Sequence, residues 1–177
     1  QKPHQHNGVV KKNYYDKFIS EKKIEDVFNK NKNFYTETFK EFRYAELTPS
    51  NIIGENEYNK NYFNKINEIE NKTLDGIALD KIASDYNLNI TNTGLINQKN
   101  DSKINIKLLQ NFFKIEKKNT LEFINLDKKY YVVEMINISQ KQKSKDDIQV
   151  KESIKAQIII ENKINENTKI AKKIANK

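Results

Sequence analysis

The chain has 177 residues, 36% hydrophobic and 32% charged, with a net charge of +8. That length holds one domain with a proper core, or a compact domain with helical extensions, and a mean hydropathy of −0.89 favours the second. The absence of cysteine excludes disulfides, thiol nucleophiles and thiolate metal sites. No run of about 20 apolar residues marks a membrane span. Arg43 is the only arginine, so the basicity lies in lysine point charges rather than in the guanidinium forks that read nucleic acid.

The lead "QKPHQHNGVVKKN" (1–13) lacks periodicity. Its His4 and His6 form an H-x-H pair without a further ligand nearby, so a mobile terminus is expected rather than a metal site. Ser20 is placed to cap a helix through "EKKIEDVFNKNKNFY", with Ile24, Val27 and Phe28 on one face and a looser Phe34/Tyr35 pair after them. "FRYAELTP" (42–49) alternates Phe42, Tyr44 and Glu46 against Arg43, Ala45 and Leu47, a strand expected to stop at Pro49.

Residues 56–76 carry the stripe Tyr58, Tyr62, Ile66, Ile69 and predict a helix closed by Gly76. A shorter helix follows over 78–88, with Leu79, Ile82, Ala83 and Tyr86 inward and Asn87 as a left-handed exit. "NITNTGLINQ" (89–98) reads as a short strand or turn. Residues 105–115 read as a helix pairing Leu108 with Phe112 and Leu109 with Phe113. Residues 120–138 read as a hairpin turning near Asp127-Lys128. "SQKQKSKDD" (139–147) is a polar hinge, and 147–177 is a long amphipathic helix with Val150, Ile154 and Ile158, then Ile164, Ile170 and Ile174. An Ile-lined helix of that length needs a partner, the N-terminal helix first.

The fold class is therefore α+β: a small antiparallel sheet with packed helices, flanked by an N-terminal and a long C-terminal helical arm. The expected divisions are a lead and arm (1–41), a sheet domain (42–138), and a hinge with an amphipathic helix (139–177).

The order from 42 to 138 resembles the parvulin fold of peptidyl-prolyl isomerases, and the helical flanks resemble the arms of the PpiD/SurA-like periplasmic folding factors. A family pattern like "R-x-S-H-I-L" is matched by Arg43-Tyr44-Ala45-Glu46-Leu47, and "F-x-x-I-A-x-x-Y" by "ALDKIASDY". The glycine-bearing second strand is matched by "TGLIN". "LQNFFKIEKKN" stands for the family's "F-x-x-A-x-F-x-L-x-x-G-E", and the last strand "G-Y-H-I-I-K-V" falls on 129–135.

The resemblance implies that the family's catalytic positions are degenerate here. Its two histidines fall on Glu46 and Tyr131, its proline-pocket aromatic on Leu109 and its loop glycine on Lys118. An acid and a phenol do not reproduce an imidazole network that must favour a twisted amide across a barrier of about 18–20 kcal/mol. Tyr44, Phe112, Tyr130 and Tyr131 are the candidates for a groove that grips extended clients, against the alternative that they are ordinary core.

The expected function is that of a non-catalytic parvulin-like domain. It would act as an ATP-independent chaperone or scaffold for unfolded envelope polypeptides, held in an apolar cleft between sheet domain and arms. The alternatives are an active prolyl isomerase with a rearranged site, and a basic nucleic-acid-binding module. No cofactor or metal is implied, and homodimerisation through the arms is an open option. The resemblance places the protein in the periplasm, with an inner-membrane anchor expected upstream of Gln1.

Overall fold

The computed structural model describes residues 19–99 and 103–176. The chain divides into two compact units: Thr38–Lys141, and Gln1–Glu37 together with Gln142–Lys177. Its described elements run α1 (Glu21–Lys30), a short 3-10 turn (Lys32–Phe34), β1 (Thr36–Glu46), α2 (Pro49–Ile53), α3 (Lys60–Leu74), α4 (Leu79–Tyr86), β2 (Thr91–Ile96), α5 (Ile106–Phe113), β3 (Leu121–Leu126), β4 (Lys129–Gln142) and α6 (Ile148–Ala175). The fold is α+β.

The strands form one sheet in the order β2-β1-β4-β3. β2 pairs antiparallel with β1, and β3 with β4. β1 and β4 also run antiparallel: the Leu47 N–H donates to the Tyr130 carbonyl at 2.8 Å near one end, and the Lys143 N–H to the Tyr35 carbonyl at 2.8 Å near the other. The β3–β4 turn has Asp127 at φ 50° and Lys128 at φ 67°, the pair of left-handed residues that a two-residue hairpin requires.

Strand alternation gives the sheet two apolar faces. Phe42, Tyr131, Val133 and Met135 pack with Leu108, Leu109 and Phe112 of α5. Ala45, Leu47 and Val132 face the other way, onto Tyr62, Ile66 and Ile69 of α3 and Leu79, Ile82 and Ala83 of α4. Each large side chain buried this way contributes about 1.5–3 kcal/mol by leaving water. Two ionic devices tie helices to strands within this unit. Arg43 bridges Asp80 of α4 and, at 2.9 Å, Glu134 of β4. The Lys40 ammonium reaches the C-terminal end of α5, donating to the carbonyls of Phe113 at 2.8 Å and Ile115 at 2.7 Å.

In the other unit, Ile24, Val27 and Phe28 of α1 meet Val150, Ile154 and Ile158 of α6, with Tyr35 completing the core. The rings of Phe28 and Tyr35 stack with centroids 5.6 Å apart. Ser20 caps α1 by accepting from the Lys23 N–H, and Asp147 caps α6 by accepting from the Val150 N–H, each at 3.1 Å.

Four boundaries differ from the sequence expectation. α1 stops at Lys30, where the Asn31 amide donates to the Val27 carbonyl at 3.1 Å, so the Phe34/Tyr35 pair is not helical. β1 consequently starts at Thr36, and it ends at Glu46. Pro49 does not terminate it but opens α2 behind the N-cap Thr48, where its missing N–H costs no helical bond. α3 begins at Lys60 behind Asn59, leaving Tyr58 outside the helix. β4 continues to Gln142, so the first four residues of the expected hinge are strand.

The isoleucine stripe of α6 also splits. Its first three members are buried, whereas Ile160, Ile164, Ile170 and Ile174 are exposed among the described residues.

Candidate functional site

The C-terminal end of β1 and the N-terminal end of β4 lie side by side, joined by the Leu47–Tyr130 backbone bond. Because consecutive strand residues point to opposite faces, this end of the sheet presents tyrosines on both sides. Tyr131 and Tyr44 face α5, and the Tyr44 ring lies edge-on to Phe112 at 5.0 Å. Tyr130 faces α3, with its ring 6.3 Å from Tyr62 and 5.7 Å from Phe123. Tyr58 stands at the edge with its ring 5.2 Å from Tyr62. The buried Tyr62 hydroxyl donates to the Leu47 carbonyl at 2.6 Å.

Glu46, two residues on from Tyr44 and beside Tyr131 across the strand pair, takes the α5 side of the strand end and is half-buried. Its charge reaches phenols on both sides of the sheet. Burial, then Glu46, Tyr44 and Tyr58 push the Tyr131 phenol above its ordinary range. Burial, then Tyr58, Tyr130 and Glu46 push Tyr62 higher still. Both therefore hold their protons at neutral pH, and Tyr62 uses its proton to donate to the Leu47 carbonyl.

Tyr131 and Tyr62 thus both feel the Glu46 charge, with Tyr44 and Tyr58 near Tyr131, and Tyr58 and Tyr130 near the Tyr62 ring. No described side chain, the tyrosines included, forms an ion pair or a hydrogen bond with Glu46. The Tyr131 hydroxyl also has no protein partner, and since no described buried side-chain oxygen is left without one, that hydroxyl reaches solvent although the residue is only 8% exposed.

The degenerate positions named from the sequence fall as follows. Glu46 and Tyr131 come together in this cluster. Leu109 does not line an opening: it is 3% exposed and filled in beneath the sheet. Lys118 is exposed and bridges to Met135, and the left-handed backbone of that loop falls one residue later, on Asn119 at φ 56°, whose N–H donates to the Met135 carbonyl at 2.8 Å. Asn119 is thus the residue of this loop whose backbone favours glycine or asparagine.

The expected groove is not assembled as four side chains. Phe112 has no exposed surface, and Tyr130 lies on the opposite face from Tyr44 and Tyr131. Two adjacent residues of one strand cannot share a face, which is the physical reason for the correction. Sequence reasoning missed Tyr62 as a neighbour of Glu46, and Tyr58 as a neighbour of Tyr62 and Tyr131, because their i, i+4 spacing reads as a helix stripe. His4 and His6 lie outside the described residues.

No protein-family model matches the chain, and no curated protein matches it. Among solved structures, the chain is similar to one described as belonging to a pair of SurA-like chaperones of Campylobacter jejuni, the virulence factor PEB4 and the periplasmic protein Cj1289. The identity is 15%, the match covers 97% of this chain and 69% of that one, and the TM-score is 0.35.

Chemically, the cluster offers an acceptor carboxylate, several phenolic donors and aromatic ring faces. Among the described residues it contains no imidazole, thiol or amine. Leu109 and Phe112 are consumed by the core, so neither offers a wall to a proline ring. The described residues also include no group of three or more His, Asp or Glu side chains placed to hold a metal ion.

A concavity of about 470 Å³ opens in the helical unit between the 3-10 turn and α6. It is lined by Phe34, Tyr35, Asn31, Gln149, Ser153 and Gln157, among others. Phe34 is 82% exposed there.

Proposed function

We propose that this chain is a non-catalytic, parvulin-like sheet domain with helical arms, and that it holds unfolded polypeptide reversibly without ATP. The observation that carries the non-catalytic half is the pairing of Glu46 with Tyr131 over a filled core, where the resemblance puts the isomerase's two imidazoles. Lowering the barrier to amide rotation needs a slot for the proline ring and groups arranged for the twisted amide. The buried Leu109 and Phe112 leave no such slot between them.

The holding half is supported by apolar surface with no cover among the described residues, namely Phe34 beside its concavity and the isoleucines along the second half of α6. Patches of this kind on a folded chain mark places where other apolar chains adhere. The clients in this reading are unfolded or nascent envelope proteins. The setting is the periplasm, with an inner-membrane anchor carried elsewhere in the full protein. Homodimerisation through the arms is a further element of the reading, read out by sedimentation at increasing concentration.

A protease-coupled prolyl isomerisation assay tests the absence of turnover. The expected rate equals the uncatalysed background. A rate well above it that disappears in Tyr131→Phe would make the chain an isomerase with a rearranged site.

A further inference from the structure

We propose that Glu46 and the tyrosines around it form a receptor for one basic side chain, the guanidinium or ammonium of an arginine or lysine on an extended polypeptide. The proposal rests on the non-catalytic reading of the same site and adds the chemistry of what enters it.

The argument begins with charge. The chain carries 32 lysines and arginines, and nine ion pairs join its described residues, yet Glu46, half-buried at the end of the sheet, is in none of them. A carboxylate in partly desolvated surroundings gains most from a cation brought close, because the local dielectric is low. Among the described residues, the groups whose electrostatics it reaches are phenols, Tyr131 and Tyr62. Their hydroxyls accept as well as donate, and their ring faces carry the negative side of a quadrupole, which attracts cations and not anions.

The accessible parts fit this use. Tyr58 is 54% exposed, Tyr44 is half-buried on the same face as Glu46, and the Tyr131 hydroxyl reaches solvent over its buried ring. Tyr62 lies beneath, fixed by its 2.6 Å bond to the Leu47 carbonyl and by the Tyr58 and Tyr130 rings. A rigid, already ordered set of rings loses little entropy when a ligand binds. An anionic ligand meets Glu46 repulsively, and an apolar side chain leaves the carboxylate desolvated without a partner.

The test uses a short fluorescein-labelled Ser/Ala/Thr peptide bearing one central arginine or lysine. Matched peptides carry citrulline or norleucine at that position, and anisotropy is followed with the whole chain at physiological salt. The expected result is about tenfold tighter binding of the basic peptides than of the neutral ones. Glu46→Gln should remove that difference, and Tyr58→Ala should reduce it, both variants keeping the wild-type melting curve. Equal binding of basic and neutral peptides, or discrimination that survives in Glu46→Gln, overturns the proposal. Free butylguanidinium separates the two sources of a cation: competition with the basic peptide supports the site, whereas butylguanidinium binding with no peptide binding overturns a polypeptide ligand. Aggregation suppression by the same samples is scored separately. A holdase that shows no charge discrimination loses only this inference, and a charge-selective site on a chain without holdase activity loses only the broader reading.

Discussion

The Tyr62 hydroxyl and the Leu47 carbonyl are held 2.6 Å apart in the interior, where both residues are almost wholly shielded from water. That bond pins α3 to the end of β1 and sets the floor of the tyrosine cluster. Tyr62→Phe removes the donor and leaves a buried carbonyl one bond short, an expected loss of about 1–3 kcal/mol in urea unfolding. An unchanged urea midpoint would show that the carbonyl finds another donor.

The tyrosines also set the alkaline limit of stability. Tyr62 and Tyr131 hold their protons more tightly in the folded chain than at the ordinary value of 10.0, burial being the first cause for each. The unfolded chain therefore ionises first, and the native state binds more protons than the unfolded state above about pH 10. The stability these groups contribute is complete below that pH and declines as pH rises toward their raised values. Lys40 works the other way: burial lowers its pKa below 10.5, so its contribution grows as pH climbs from that lowered value to 10.5. Tyr35, raised by burial, and Lys72, raised by its bond to Tyr86, act in the same sense as Tyr62 and Tyr131, so against Lys40 the prediction is a net fall. Tyrosinate absorbance and circular dichroism, followed together against pH, should show Tyr62 titrating only with unfolding and Tyr131 above the ordinary tyrosine range, and Tyr131→Phe should flatten the fall.

Lys40 also has a mechanical role. Its ammonium ties two carbonyls at the end of α5, so Lys40→Met leaves both without that donor. The expected cost is about 1–3 kcal/mol, accompanied by faster hydrogen exchange over 113–119. Uniform exchange across the sheet unit would argue against a local clamp.

The loop into β3 distinguishes two neighbouring residues. Asn119→Val forces a β-branched residue into left-handed backbone and is expected to cost about 1–2 kcal/mol. Lys118→Val, where φ is not positive, is expected to stay within about 0.5 kcal/mol. Thermal unfolding of the two variants reads the difference directly.

These elements show what the sequence can and cannot disclose. Alternation placed Phe42 and Tyr44 opposite Ala45 and Leu47, and helical spacing placed Val150, Ile154 and Ile158 against α1, because burial imposes a period on the residues themselves. The strand residues 139–142 carry no such signature: their side chains are mostly exposed, and only the partner strand makes them β. Thr36–Phe39 were hidden for a related reason, since Phe34 and Tyr35 before them look like the end of a helix stripe. In the site, the juxtaposition of Glu46 with Tyr131 followed from the pairing of β1 and β4. Tyr58 and Tyr62 could not be placed beside them, because no local pattern records which helix lies over a strand end.

The central claim is that the chain holds unfolded polypeptide without turning over a bond. Its most direct measurement is light scattering from a denatured outer-membrane protein diluted into equimolar chain without nucleotide. The account predicts slower and smaller aggregation than in buffer alone. Aggregation that proceeds unchanged, with the chain shown by circular dichroism to be folded in the same sample, would contradict it.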